Sequence, residues 1–189
     1  SGSLGVIYDC FGAGKYRNRS HSRHRHLDGL IQIANEIAAE GLCDPLIPQP
    51  NSSDDVSLIR AFLLRLDKAC TELRKINDDA ILSIFIDAAD NAEMAADEIS
   101  EACFVNQLIR EDVPEFCRIV ALCRTERKHL VNPSNNVNEI QLQPFNENET
   151  SEHLAQHYPE ATDDEAKEFH RLTGGNPRVQ ANALDFEFD

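Results

Sequence analysis

The chain has 189 residues, 41% of them hydrophobic, and a formal net charge of −15 at pH 7, the profile of an acidic globular protein with a sizeable core. That acidity argues against a nucleic-acid-binding body, so direct nucleic-acid binding is not expected. No apolar run reaches the length of a membrane span, no signal peptide is visible, and the six cysteines form no C-x-x-C pair; the reading is a cytoplasmic protein with no membrane partner and with reduced thiols.

Charge is uneven along the chain: residues 1–29 carry five Lys/Arg against two Asp, and the remainder carries 13 against 31. Residues 1–3, Ser-Gly-Ser, read as an expression-vector scar and are set aside. Gly5-Val-Ile-Tyr-Asp9 predicts a strand over residues 4–9. It runs into Asp9-Cys-Phe-Gly12-Ala-Gly14-Lys15-Tyr16, which approximates the phosphate-binding loop G-x-x-x-x-G-K-[ST] but has Asp for the first glycine and Tyr for the Ser/Thr. A working phosphate loop opens directly into an amphipathic helix, whereas residues 17–25 are basic and polar. A plain loop and a degenerate phosphate loop at 9–16 both stand. Within residues 15–26, His21, His24 and His26 lie among arginines, and three readings compete: a solvated flexible loop, a patch contacting phosphate or a partner, and a metal site completed by Cys10 or Cys43.

Leu30, Ile33, Ala34 and Ile37 share a face of a helix predicted over residues 27–40, which Gly41 ends. Pro45, Pro48 and Pro50 make residues 42–50 a loop. Ser53-Asp54-Asp55 then caps a helix reaching Ile76, with Leu58, Ala61, Phe62, the Arg65 stem, Leu66 and Ala69 at helical spacing. Ile81-Leu-Ser-Ile-Phe-Ile-Asp87-Ala-Ala-Asp90 predicts a strand over residues 80–87. Its continuous apolar character suggests cover on both faces, and two carboxylates sit at its C-terminal tip. Such tips bind ligands in open α/β sheets, and phosphoryl-transfer sites place a magnesium-holding acid there; equally, Asp90 would cap the helix that follows. A helix is predicted over 92–111, a strand over 117–123 that runs into Arg124-Thr-Glu-Arg127, a short helix over 126–130 and a strand over 138–142. The rest reads as helical, at 147–156, 162–172 and 177–184, with Leu172-Thr-Gly-Gly175-Asn-Pro177 as the turn before the last helix. Glu149 and Glu152 read as a solvated face.

Taken together, the acids after the apolar strand, Arg124 and Gly175-Asn176-Pro177 resemble the STAND class of P-loop NTPases. The NACHT and NB-ARC proteins belong to that class, and the likeness is closest to large bacterial ATP-binding proteins of antiviral defence. The resemblance implies an α/β core over residues 4–144, a parallel sheet holding strands two to five but lacking the P-loop strand, and a helical lid over 145–189. It makes Asp87 the Walker B magnesium acid, Asp90 the second acid of a D-x-x-D variant and Arg124 the sensor of the γ-phosphate. Gly175-Asn176-Pro177 matches the lid motif whose proline approaches adenine. Gln141-Leu-Gln-Pro-Phe145 with Glu149-Thr150 resembles the passage from sheet to lid. ATP and Mg²⁺ are then the cofactors of a longer protein carrying the Walker A loop upstream, with homo-oligomerisation through the NTPase domain. Tight nucleotide binding and catalytic activity are not expected of these 189 residues alone. Ala88, where many related ATPases carry a catalytic glutamate, implies slow turnover. In the family order 2-3-4-1-5 the absent strand lies between residues 117–123 and 138–142, so the last strand must pair elsewhere, stay loose or slide against its neighbour. A different class also fits: a nucleotide-free scaffold that binds protein partners with an NTPase-like fold.

Overall fold

Residues 2–48, 54–134 and 136–185 are described by a computed structural model; Ser1, Pro50, Ser53 and residues 186–189, the end of the expected lid, lie outside them. The chain divides into two compact units, Ser1–Asn138 and Glu139–Asp189.

The first unit is built on three parallel strands, β1 (Leu4–Asp9), β2 (Leu82–Asp87) and β3 (Cys117–Ala121), in the order β1-β2-β3. Register pairs Val6 with Ile84, Ile84 with Ile119, and Asp9 with Asp87, so the C-terminal ends of β1 and β2 lie side by side. Because side chains alternate along a strand, Val6, Tyr8, Leu82, Ile84, Ile86 and Cys117 share one face, and all six are buried. The opposite face carries the row Ile7, Phe85 and Val120. Ile7 is 64% exposed, Val120 36%, and Phe85 is half-buried. This corrects the expectation of cover on both faces: the apolar run of β2 reflects a central position between two strands, with one face covered among the described residues.

Helices α1 (His26–Ala39) and α2 (Asp55–Ile76) connect β1 to β2. α1 buries Leu30, Ile33, Ala34 and Ile37 as its spacing predicts, and α2 buries Leu58, Phe62, Leu66, Ala69 and Leu73. Each fully buried Leu, Ile or Phe contributes roughly 1.5–3 kcal/mol, so these two stripes anchor the unit. Asp54 is the N-cap of α2, accepting the Ser57 N–H at 2.7 Å. Arg65 lays its stem along α2 and donates to the Asp44, Pro45 and Ala61 carbonyls, which fastens the proline-rich loop.

The helix expected over residues 92–111 is two helices, α3 (Ala89–Ile99) and α4 (Phe104–Leu108). The break falls at Ser100, in the left-handed region at φ 55°. Its cause is tertiary. Glu101 is drawn to His24 and Arg25, the Phe104 N–H donates to the His24 carbonyl, and the Phe104 ring packs edge-on to Tyr8 with centroids 5.4 Å apart. The same ring lies against Gly29 of α1, where a Cβ would overlap it. After β3, a 3-10 turn at Thr125–Arg127 leads into α5 (Lys128–Val131).

Residues 138–142 form no strand, which corrects that expectation: Ile140 is 82% exposed and Leu142 83%. Of the three outcomes anticipated for this segment, it stays unpaired, and β3 has β2 as its one strand partner among the described residues.

The second unit contains α6 (Glu147–His157), α7 (Asp163–Thr173) and α8 (Pro177–Asp185) around Leu154, Ala166 and Leu184. Asn146 with Glu149 and Thr162 with Glu165 form capping boxes at α6 and α7, each cap worth about 1 kcal/mol. Glu149 is therefore a capping partner and not simply part of a solvated face. Between the helices, Gln180 donates to the Thr150 hydroxyl at 2.9 Å and the Thr173 hydroxyl at 3.1 Å, and Thr150 hydrogen-bonds the His170 Nδ1 at 2.8 Å. Thr150 and Gln180 are fully buried, so this polar network substitutes for apolar core in a small unit.

Candidate functional site

β2 passes into α3 with a single intervening residue. Ala88 turns the chain at φ 53°, ψ 41°, a left-handed conformation that costs a residue with a Cβ about 1 kcal/mol. The turn leaves Asp87 exposed at the C-terminal end of the central strand, with its Oδ1 accepting the Ala88 N–H at 2.8 Å. Pairing continues past the strands: Cys10 N–H donates to the Asp87 carbonyl and Ala89 N–H to the Leu122 carbonyl, which holds this edge rigid. Asp9, beside Asp87, already accepts the Phe11 and Gly12 N–H groups at 2.7 and 3.0 Å.

Asp90 occupies the first turn of α3, but it does not cap the helix; Ala88 holds the cap position and provides no side-chain bond. The Asp90 carboxylate is 1% exposed. Its Oδ2 has no hydrogen bond and lies 3.5 Å from Arg127 Nη1 and 4.0 Å from Arg124 Nε. The helix N-terminus adds a favourable field. Arg127 also reaches the Met94 Sδ at 3.2 Å. Arg127 is thus a member of the site that motif reading leaves out; its signal is the three-residue spacing from Arg124, which the 3-10 turn converts into a common direction. Asn91, next along α3, is 1% exposed with both polar side-chain atoms unpartnered.

Arg127→Ala is expected to destabilise the fold by about 1–3 kcal/mol, because it strips the nearer cation from a buried carboxylate. Arg124→Ala, farther away and more exposed, should cost under about 1 kcal/mol. Chemical denaturation of the two variants checks the order, and equal losses would contradict it.

The segment from Gly12 to Lys15 is a 3-10 turn followed by a further turn, and α1 begins only at His26. It does not have the strand–loop–helix course of a phosphate loop. The reading of residues 15–26 as a solvated flexible loop holds for exposure over residues 15–21 and is corrected over residues 22–26. His24 and His26 are each 2% exposed; His24 Nε2 is 2.9 Å from Glu101 Oε2, and His26 Nε2 is 2.7 Å from Gln107 Oε1. Among the described residues no three His, Cys, Asp or Glu side chains converge to hold a metal ion, so the His–Cys site is not formed there. None of the six cysteines is in a disulfide, and Cys123 alone is exposed.

In the second unit, Gly174 and Gly175 end α7 with φ of 58° and 66°. The Gly175 carbonyl accepts the Phe145 N–H at 2.8 Å. The Asn176 side chain caps α8 by accepting the Arg178 and Val179 N–H groups at 3.0 and 3.2 Å, and Pro177 is exposed at the first helical position. Each of these residues has a local structural task.

Comparison with protein-family models and with curated proteins gives no match for this chain. Among the described residues, no helix is long and apolar enough to cross a membrane.

Proposed function

We propose that this chain is the distal part of the ATP-binding core of a STAND-type NTPase, a nucleotide-driven cytoplasmic switch of the antiviral-defence kind, with the phosphate cradle supplied by chain upstream of residue 4. The observation that carries the reading is Asp87 at the exposed tip of the central parallel strand, with Asp90 and an arginine pair immediately behind it. The β1-β2-β3 order agrees with strands two to four of that family, and the free edge of β3 is where its P-loop strand belongs. The exposed Asp87 carboxylate suits Mg²⁺, and Mg-ATP when bound supplies the phosphoanhydride whose cleavage resets the switch. In this reading Asp90 holds Arg127 and Arg124 at the strand tips, and Arg124, the more exposed of the two, senses phosphate charge. Gly175-Asn176-Pro177 sets the approach of α8, with Pro177 toward adenine. Self-association through the NTPase domain transmits the state.

The test is Asp87→Asn in a protein that includes a Walker A segment ahead of residue 4. Loss of a charged metal ligand should lower Mg-dependent ATP hydrolysis by at least about 100-fold while melting stays unchanged, since no core cavity is made. Equal hydrolysis by both proteins would overturn the reading. A second reading, a nucleotide-free scaffold that binds protein partners, draws support from the structural tasks that account for Gly175 and Asn176. The residues immediately before position 4 separate the two, because the switch requires G-x-x-x-x-G-K-[ST] there.

A further inference from the structure

Between Asp9 and His26 the chain leaves the sheet at its strand-tip edge and folds through two 3-10 turns, Gly12–Gly14 and Arg19–His21. These turns border an open cleft of about 530 Å³ lined by Tyr8, Asp9, Lys15, His21, Arg23 and Asp28, a volume suited to a small metabolite. Its walls are fastened. Asp9 holds the Phe11 and Gly12 N–H groups, and Ser22 donates to Asp28 at 2.8 Å. His24 and Arg25 tie the segment to Glu101. Ala13 is held at φ 53°, a strained conformation kept by the surrounding structure.

Partner accounting points to the ligand. Both acids already receive donors from the chain and keep spare lone pairs. Arg23 lies over the Tyr8 ring, 5.4 Å from its centroid, and donates to Gln32 at 3.3 Å, which leaves most of its fork uncommitted. Lys15 and His21 have no side-chain hydrogen bond or ion pair among the described residues. Lys15 and Arg23, with His21, share the cleft with two carboxylates and make a poor sink for a bare anion, which the acids repel. A phosphate ester with neighbouring hydroxyls satisfies both halves: its phosphate meets Lys15, His21 and Arg23, and its hydroxyls donate to Asp9 and Asp28.

We propose that this pocket, which meets the strand tips at Asp9 but does not include Asp87 or Asp90, is a binding site for a sugar phosphate, independent of the nucleotide reading above. Calorimetric titration of the whole chain with ribose 5-phosphate, ribose and inorganic phosphate tests it. Ribose 5-phosphate should bind, with ribose and phosphate each weaker by at least about tenfold. Lys15→Ala and His21→Ala should each weaken binding about tenfold without moving the melting temperature, because both side chains are exposed. Asp87→Asn should leave it unchanged. No heat with ribose 5-phosphate at millimolar concentration overturns the proposal, as does binding indifferent to Lys15→Ala and His21→Ala. Phosphate binding as tightly as the ester would remove the role of Asp9 and Asp28 and overturn the sugar-phosphate assignment. Loss of binding in Asp87→Asn would transfer the ligand to the strand-tip site and overturn the separate pocket.

Discussion

Glu93→Gln should stabilise the protein at about pH 8 by up to about 3 kcal/mol and leave its stability nearly unchanged at about pH 5. Glu93 is 6% exposed on α3, and burial pushes its carboxyl up to about 7, against the opposing hydrogen bonds from Cys103 and the Asn106 N–H. Unfolded, the same group ionises near the ordinary value of 4.5. The folded chain therefore holds a proton that the unfolded chain releases between those two values, and stability falls as pH rises through that window. The contribution is fully present below 4.5 and gone above about 7. Glutamine keeps an acceptor for Asn106 and carries no charge to desolvate, so its stability should stay flat where the native protein's declines. Glu101 works in the opposite sense at lower pH. Arg25 and His24 hold its carboxyl down to about 2, so its contribution is present above 4.5 and lost as pH falls through about 2. The two windows do not overlap, and urea unfolding at the two pH values isolates Glu93. An identical offset at both would assign the effect to packing and reject the buried charge as its cause.

Gly175→Ala should unfold the second unit, whereas Gly174→Ala should cost it about 1 kcal/mol. Both glycines have positive φ, so both substitutions pay for a Cβ in the left-handed region. They differ in what that Cβ meets. At Gly174 nothing lies within 4 Å, but at Gly175 the Cβ would overlap the Phe145 carbonyl oxygen and come within 2.9 Å of His170 Cε1. Relief requires pulling residue 145 away, which breaks the Phe145 N–H bond to the Gly175 carbonyl and disturbs His170 beneath Thr150. A misfit of that kind costs about 1–3 kcal/mol beyond the φ term. Among the described residues the unit has Leu154, Ala166 and Leu184 as its buried apolar core and little reserve to absorb it. Hydrogen exchange checks this directly: residues 147–185 should lose protection in Gly175→Ala while β1, β2 and β3 keep theirs. Equal exchange in the two variants would mean the close approach at Gly175 is not what holds the unit.

The helices that were legible in the sequence carry their own instructions. α1, α2 and the three helices of the second unit have apolar residues at helical spacing, and α2, α6 and α7 begin at side-chain caps, so local pattern and packing agree. The three strands were legible for a similar reason, since their apolar runs end in breakers, and Asp87 could be placed at a strand tip because the run stops there. What the sequence could not decide depended on distant partners. Ile140 and Leu142 alternate as a strand should, yet a strand exists only when another offers its backbone, and none does among the described residues. Residues 92–111 have continuous helical character, but the helix breaks at Ser100 because groups some 75 residues earlier, His24 and Arg25, capture Glu101. The basic segment looked solvated by composition, and its two buried histidines became visible only once Glu101 and Gln107 were brought against them. The chain alone thus determined the type of most elements, β1, β2 and β3 and the long helices among them, and the position of the strand-tip acid, because those follow from neighbouring residues. The tertiary structure decided the break in the helix, the burial of Asp90 behind Arg127 and the pocket at Lys15, because charge and hydrogen-bond partners far apart in the chain set the energies there.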